Sequence, residues 1–246
     1  MLLGLLALLA GVSACGPGHG TDCLTSTGPV VRERRELPAG LRTVYAYDNV
    51  DLILVQEPAG SASFAEVRGG RNLLPDLETR VEGEQLRIRN TATCNWVRSY
   101  NTPREVTLHV PSLRNVSLRG AGNVSTAGPF RQDTIFFHLT GAGDYNLDVQ
   151  STYLWVDLYE LGDVTVRGSA GRLQLTLGGN GRFFGQNLRA QSCFFNTNLD
   201  SNGDAHVQAT DFLGGTIRGN GTLYYSGRPA ATDIRLTGHG QAQPVP

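Results

Sequence analysis

Residues 163–181 read DVTVRGSAGRLQLTLGGNG, and this stretch contains the unit from which much of the chain is built. Val164 and Val166 alternate with polar residues, and the three leucines of 173–177 do the same after a short Ser-Ala-Gly segment. Alternation with a period of two is typical of half-buried strands. The unit is therefore predicted to be a strand, a tight turn, a second strand and a glycine turn.

The glycine turn recurs throughout the C-terminal half of the chain. Full Gly-x-Gly copies stand at 120–122, 141–143, 179–181, 219–221 and 238–240, and weakened copies at 161–163 and 202–204. Successive copies lie 18 to 22 residues apart, and a fixed period in this range is typical of stacked repeats. One unit has too little apolar surface to fold alone, whereas stacked units bury a continuous core. We therefore predict an all-β protein, a single-stranded right-handed parallel β-helix with coils of about 20 residues. The rival fold is an antiparallel barrel.

The turn residues suggest a column of polar side chains along one edge of the coil. Glycine adopts positive φ without a Cβ clash, so the turns are expected to have positive φ. Asp144, Asp163 and Asp204 follow equivalent glycines and are expected to face the same way. Three interpretations are open: each carboxylate bonds amides of its own turn, the row binds a cation or a glycan, or it catalyses cleavage of a polysaccharide. Arg182 holds the equivalent position between Asp163 and Asp204, which favours the first interpretation.

Composition excludes several classes of function. The chain has 246 residues, 31 of them glycine, and a net charge of −1, which gives no electrostatic footprint for nucleic acid. All 21 basic residues are arginine, so lysine-based phosphate binding and Schiff-base chemistry are excluded. The five histidines have no helical metal-ligand spacing, and no hydrolase elbow motif is present. We predict no cofactor, no metal site and no catalytic residue.

The N-terminus has the pattern of an export signal. The apolar run 2–10 is too short to cross a bilayer, and it is followed by small residues. Residues 12–15 read VSAC and resemble a bacterial lipobox, in which Cys15 would be lipidated; the alternative is an ordinary signal peptide with a chance cysteine. We assign 1–15 to the signal and 16–30, which begins with a Gly-rich stretch, to a flexible tether.

The rest of the chain is assigned to one domain and a short tail. Residues 31–240 are predicted to form the β-helix domain, with the regular repeats in 119–240. The segment 31–118 has strand-like alternation with only loose repetition, as expected of an irregular N-terminal cap. Residues 241–246 contain two prolines and are predicted to be a tail that ends the stack.

Three cysteines remain after the lipidation candidate. Export places them in an oxidising compartment, so a Cys23–Cys94 disulfide is predicted to fasten the N-terminal segment to the first coils. Cys193 stands beside two phenylalanines and is predicted to be a small buried hydrophobe.

Aromatic residues near the cap give a second candidate site. Trp96 and Tyr100 lie close in sequence to Arg98 and Arg104. Exposed rings stack on sugar faces and arginine adds hydrogen bonds, but buried rings that seal the cap would have the same sequence.

Several segments resemble one known family. They are 94–100 (CNWVRSY), the LxGAG units at 118–122 and 139–143, and 223–229 (LYYSGRP), with weaker likeness at 22–28 and 72–75. In order and spacing they resemble the putative auto-transporter adhesin head domain, or GIN domain, over roughly 21–240. The resemblance implies a single-stranded right-handed β-helix, a bacterial envelope protein that is often lipid-anchored, and adhesion. It supplies no catalytic residues.

These observations together predict a non-enzymatic lipoprotein of the bacterial cell envelope, exported and lipid-anchored in the outer membrane. Its expected partner is a polysaccharide or an envelope protein that contacts the long face of the β-helix. The alternatives are a polysaccharide-active β-helix enzyme and a purely structural assembly protein.

Overall fold

The computed structural model describes residues 26–92 and 102–246, and within these ranges the chain contains strands, turns and one short 3-10 turn at Leu74–Asp76. The strands are β1 Val30–Leu37, β2 Thr43–Ala46, β3 Asp51–Gln56, β4 Ser63–Gly70, β5 Leu77–Glu82, β6 Gln85–Asn90, β7 Arg104–Val110, β8 Asn115–Leu118, β9 Val124–Thr126, β10 Phe130–Leu139, β11 Tyr145–Leu158, β12 Val164–Leu177, β13 Phe183–Thr197, β14 Ala205–Ile217, β15 Thr222–Ser226, β16 Ala231–Leu236 and β17 Gln241–Pro244.

The strands stack as parallel coils, and the predicted fold class is confirmed as a β-solenoid of about 7 turns. β10 to β14 pair in parallel, each with the next strand in sequence. Val166 pairs with Leu147 one coil below, as the periodicity predicts. The antiparallel barrel is excluded, because residues 164–168 and 172–177 pair with neighbouring coils and not with each other.

The predicted tight turn in the middle of the unit is a bend within a strand. β12 continues through the Ser-Ala-Gly segment, and Gly168 at this bend has a φ of +115°. Gly168 still pairs with Val149 below and Leu188 above. Because backbone pairing continues around the corner, β12 is in register with β11 at 13 positions and with β13 at 12 positions, rather than over two short strands.

The N-terminal part is irregular. β2 pairs in parallel with both β6 and β8, and β3 does the same with β7 and β9. The chain therefore makes one coil, inserts β4 to β7 beside and beneath it, and returns above it at β8. Antiparallel pairs of β4 with β1 and β7, and of β5 with β6, complete this end.

Two predicted boundaries differ from the structure. Residues 241–244, assigned to a tail, form β17 and pair in parallel with β15, so they belong to the stack. Residues 26–29, assigned to the tether, are fixed to the cap: the Asn72 side chain donates to the Ser26 carbonyl, and the Arg71 amide donates to the Pro29 carbonyl.

The interior is filled by columns of apolar side chains, one from each coil. In one column Leu154, Leu173, Cys193 and Leu213 are in register and at most 1% exposed. Cys193 is thus the small buried hydrophobe that was predicted, and burial raises the pKa of its thiol to about 12.

The turn glycines are required for a different reason from the one predicted. None of the glycines in the Gly-x-Gly turns has a positive φ, so that expectation is wrong. A Cβ on Gly143 would instead overlap the carbonyl oxygen of Gly122, and the same holds for Gly162 over Gly143 and Gly181 over Gly162. Each turn lies directly on the backbone of the turn below, with no room for a side chain.

Within the described ranges, no helix has the length and hydrophobicity needed to cross a membrane.

Candidate functional site

The predicted aspartates do form a column, but they connect coils instead of closing their own turns. Asp144 Oδ1 accepts a hydrogen bond from the amide of Asp163, 2.8 Å away. Asp163 Oδ1 in turn accepts from the amide of Arg182 at 2.8 Å, and Asp204 Oδ1 accepts from the amide of Thr222 at 2.7 Å. The expectation of bonds within each turn is wrong: the carboxylate of one coil satisfies a backbone donor of the next.

Arg182 interrupts the column, as its position in the sequence suggests. Its Nη2 donates to Asp163 Oδ2 at 2.9 Å, and this bond raises the pKa of the Arg182 guanidinium. Both carboxylate oxygens of Asp163 are therefore occupied, and Arg182 separates Asp163 from Asp204. Among the described residues, no group of three or more His, Cys, Asp or Glu side chains could hold a metal ion.

A second column stands beside the first, in the middle position of the Gly-x-Gly turns. Asn202 Nδ2 donates to Asn180 Oδ1 at 2.8 Å, and Asn220 Nδ2 donates to Asn202 Oδ1 at 2.7 Å. Each of these asparagine side chains thus forms a hydrogen bond with the asparagine of a neighbouring coil. Both polar columns thus have a clear structural role in aligning the turns.

The other predicted site residues, Cys15, Cys23, Cys94, Trp96 and Tyr100, lie outside the described residues.

Sequence reasoning missed a set of aromatic side chains on the outer surface of one sheet. The sheet includes β8, the second halves of β10 to β14, and β16, all in parallel register. We call this surface the aromatic face and define it by Arg114, Phe136, Tyr153, Trp155, Arg172, Phe194 and Phe212. Its rings are half-buried, so that each presents part of its surface to solvent.

The rings form contacts between coils. Phe136 pairs in register with Trp155, and their ring centroids are 5.7 Å apart. Phe136 also contacts Tyr153 edge-on at 6.0 Å. Two coils further along, Phe194 and Phe212 are 5.1 Å apart. Distances of this size are typical of favourable aromatic pairs.

Arginine side chains join the two ring groups into one surface. The guanidinium of Arg172 lies 5.7 Å from the centre of the Tyr153 ring and 3.9 Å from that of Phe194. At the other end, the Arg114 guanidinium lies 5.6 Å from the Phe136 ring. These are cation–π distances. The aromatic face therefore continues from β8 to β14, over a distance of roughly 24 Å, since adjacent strands are about 4.8 Å apart.

A buried carboxylate fixes the orientation of the central ring. Asp157 is 5% exposed and accepts hydrogen bonds from Trp155 Nε1 and, at 3.0 Å, from His138 Nδ1. His138 lies on the outer surface, as its alternation with Phe137 and Leu139 predicts. The hydrogen bond from the indole N–H therefore holds the Trp155 ring in its orientation on the sheet.

An open groove adjoins the aromatic face at its β8 end. It has a volume of about 420 Å³ and is lined by Arg42, Arg114, Gln132, Asp133 and Thr134 among others. Thr134 pairs in register with Tyr153, so the groove leads directly onto the rings. Aromatic surface and hydrogen-bonding side chains thus meet at one edge of the sheet.

The signal for this surface was present in the sequence. Phe136, Trp155, Gln174 and Phe194 occupy one outward column at steps of 19 and 20 residues. Ile135 and Phe137, on either side of Phe136, are apolar and buried, so the alternation alone places Phe136 on the outer surface. Only the register between coils shows that these rings touch.

Comparison with known proteins gives a family and a fold. The family model described as "Putative auto-transporter adhesin, head GIN domain" matches residues 41–229. A crystal structure of a putative adhesin from Bacteroides fragilis is similar with a TM-score of 0.79 at 20% identity, covering 88% of this chain and 97% of that one.

Two structures from Parabacteroides distasonis, each at 20% identity, share the fold. One is a putative adhesin, with a TM-score of 0.65 and coverage of 89% of this chain and 98% of that one. The other is a putative lipid binding protein, with a TM-score of 0.63 and coverage of 86% and 96%. No curated protein matches the chain.

Proposed function

Because this chain belongs to the putative auto-transporter adhesin head GIN domain family, we propose that it is an adhesin-like protein of the bacterial cell envelope. It binds polysaccharide through the aromatic face and catalyses no reaction. The observation that carries this proposal is the continuous row of half-exposed rings from Phe136 to Phe212.

The chemistry of the aromatic face suits sugars. One side of a pyranose ring presents mainly C–H groups, which pack on the face of an aromatic side chain, while its hydroxyls need hydrogen-bonding partners. Rings occupy β10, β11, β13 and β14, and arginines stand beside them at β8 and β12, with adjacent strands about 4.8 Å apart. A surface with one such platform after another fits an extended polymer better than a compact small molecule.

The contacts of the acidic side chains support the proposal that the protein is not an enzyme. Glycosidases use two carboxyl groups, one as general acid and the other as base or nucleophile. Asp144 and Asp163 are neighbours in the column, but each accepts a backbone hydrogen bond, and Arg182 neutralises Asp163. On the aromatic face, Asp157 is buried and held by Trp155 and His138.

Attachment to the envelope rests on Cys15. Lipidation there, followed by the Gly-rich start of the segment 16–30, would place the β-helix at the membrane surface with its outer faces accessible. We expect Cys15→Ala to release the protein into the soluble fraction. Unchanged membrane association would contradict the lipid anchor while leaving polysaccharide binding to be judged separately.

The test of binding is a glycan array, probed with the purified protein carrying Cys15→Ser so that it remains soluble. Trp155→Ala and Phe194→Ala should each weaken binding, whereas Phe184→Ala should not. Phe184 is the matched control, because it is also a half-buried outward aromatic ring but lies on the other sheet, beside His206.

Circular dichroism would confirm that the variants keep their β structure. If all three variants bind glycan with the same affinity, the aromatic face is not the binding site. No glycan binding at all, with capture of an envelope protein or of lipid vesicles instead, would refute the polysaccharide proposal.

A further inference from the structure

The arginines of the aromatic face have no carboxylate partner among the described residues, unlike several arginines elsewhere on the coil. Arg167 pairs with Asp148 at 3.0 Å and Arg182 with Asp163 at 2.9 Å, both on the other side of the coil. Arg114 and Arg172 contact aromatic rings and form no ion pair with any residue of 26–92 or 102–246. Two positive charges are thus left without a carboxylate counter-ion among the described residues.

The same arrangement is repeated nearer the cap. The Arg119 guanidinium lies 4.9 Å from the centre of the Tyr45 ring, and its Nε donates to Ser117 Oγ at 3.4 Å. Ser117 pairs in register with both Tyr45 and His138, so this arginine belongs to the same sheet. It too has no ion-pair partner among the residues that the structure describes.

Nearby negative charges offset these arginines only in part. Asp157 is buried and held by two hydrogen bonds, and Asp133 lies in the groove at the β8 end. Asp233, on the last strand of the sheet, is 3.8 Å from Arg235. The central part of the aromatic face is therefore positive, although the whole chain has a net charge of −1.

From these observations we infer that the polysaccharide bound by the aromatic face is a polyuronate, a polymer whose sugars carry carboxylates. The inference rests on the proposed function and names its ligand class. Sugar rings pack on the aromatic rings, and the carboxylates that lie next to Arg114 and Arg172 each accept a two-pronged hydrogen bond from the guanidinium. A guanidinium is planar and matches a carboxylate in geometry, and stacking on a ring leaves its N–H edges free to donate.

The spacing of the arginines suits a polymer. Arg114 directly precedes β8, and Arg172 lies on β12, three strands further along the sheet, so the two are separated by roughly 14 Å along the stack. Rings occupy the coils between them. A polymer that lies along the stack would contact Arg114, then the rings of β10 and β11, then Arg172, a distance that a single charged sugar cannot span.

The experiment compares polygalacturonate with its fully methyl-esterified form, which has the same sugar backbone but carries neutral methyl esters in place of the charged carboxylates. We expect the protein, with Cys15→Ser for solubility, to bind polygalacturonate or alginate, to bind the ester at least tenfold more weakly, and to lose affinity as salt increases. Arg172→Gln should weaken polyuronate binding roughly tenfold, the loss expected for one charge-assisted hydrogen bond.

Arg189→Gln is the matched control and should leave binding unchanged. Arg189 is also exposed and also lacks an ion pair within the described ranges, but it contacts no aromatic ring there. The two variants change net charge equally, so a difference between them reports on the aromatic face and not on general charge.

The outcomes separate this inference from the proposed function. Equal binding of the ester and the acid, or binding only of neutral glycans, would overturn the inference that the ligand is a polyuronate. The proposal of polysaccharide binding would still stand. Tighter binding of dextran sulfate or single-stranded DNA, with the same loss in Arg172→Gln, would show a general polyanion site and also overturn it. If Trp155→Ala does not weaken the binding of any glycan, the proposed function itself fails.

Discussion

Replacing Gly181 by alanine tests why the coils stack so closely. Gly181 has no positive φ, so alanine is compatible with its backbone conformation. The added Cβ would nevertheless overlap the carbonyl oxygen of Gly162 in the coil below, at a separation that real Cβ atoms do not show. Because both partners are backbone, no side chain can rotate away, and the two turns must separate.

The cost follows from the hydrogen bonds at this turn. The amides of Asn180 and Gly181 both donate to the Glu160 carbonyl at 3.0 Å, and the Arg182 amide donates to Asp163 Oδ1 at 2.8 Å. Loss of two or three such bonds at about 0.5–1.5 kcal/mol each predicts a decrease of roughly 1–4.5 kcal/mol in the free energy of unfolding. In a protein of this size that lowers the Tm by roughly 2–18 °C.

Thermal and denaturant unfolding of Gly181→Ala beside Gly128→Ala would measure this loss. Gly128 is the matched control: its φ is also outside the left-handed region, but a Cβ there would meet no atom within 4 Å. We expect Gly128→Ala to equal or slightly exceed the wild type in stability, since alanine restricts the unfolded chain. If the two variants unfold alike, close backbone approach is not what requires glycine in these turns.

Three further predictions concern the core and the aspartate column. Leu175→Ala leaves a cavity in the fully buried interior and should cost roughly 2–5 kcal/mol in unfolding free energy; a melt like that of the wild type would contradict its place in the core. The Cys193 thiol, whose pKa burial raises to about 12, should resist thiol reagents at neutral and mildly alkaline pH until the protein unfolds, and fast labelling of the native protein would show that it is accessible. Asp163→Asn with Asp204→Asn should fold and bind glycan almost as the wild type does, because the asparagine Oδ1 can accept the same amide hydrogen bonds; a calcium-dependent rise in Tm seen only in the wild type would instead identify the column as a metal site.

The periodicity of the sequence was sufficient to predict the coil and its register. Alternation within residues 163–181 assigned the inward side chains, and the spacing of the glycine turns placed Val166 above Leu147. Both are local properties of a repeat: a period of two sets which side chains face inward, and the repeat length sets which residues stack.

The path of the N-terminal segment could not be read in this way. β2 lies between β6 and β8, although 72 positions of the chain separate Thr43 from its partner Asn115. Nothing in the loose alternation of 31–118 specifies that the chain inserts four strands before it returns. Such pairing depends on which distant edges fit together, and a local period carries no information about that.

The tertiary structure also decided what the turns and the outer surface do. Gly181 is required by the backbone of the coil below it, and Asp163 bonds the amide of the coil above it. The aromatic face exists because Phe136, Trp155 and Phe194 come from three different coils. The sequence determined the unit and its repetition, whereas contacts between units depend on spacings of a few ångströms across the stack, which only the packed coils establish.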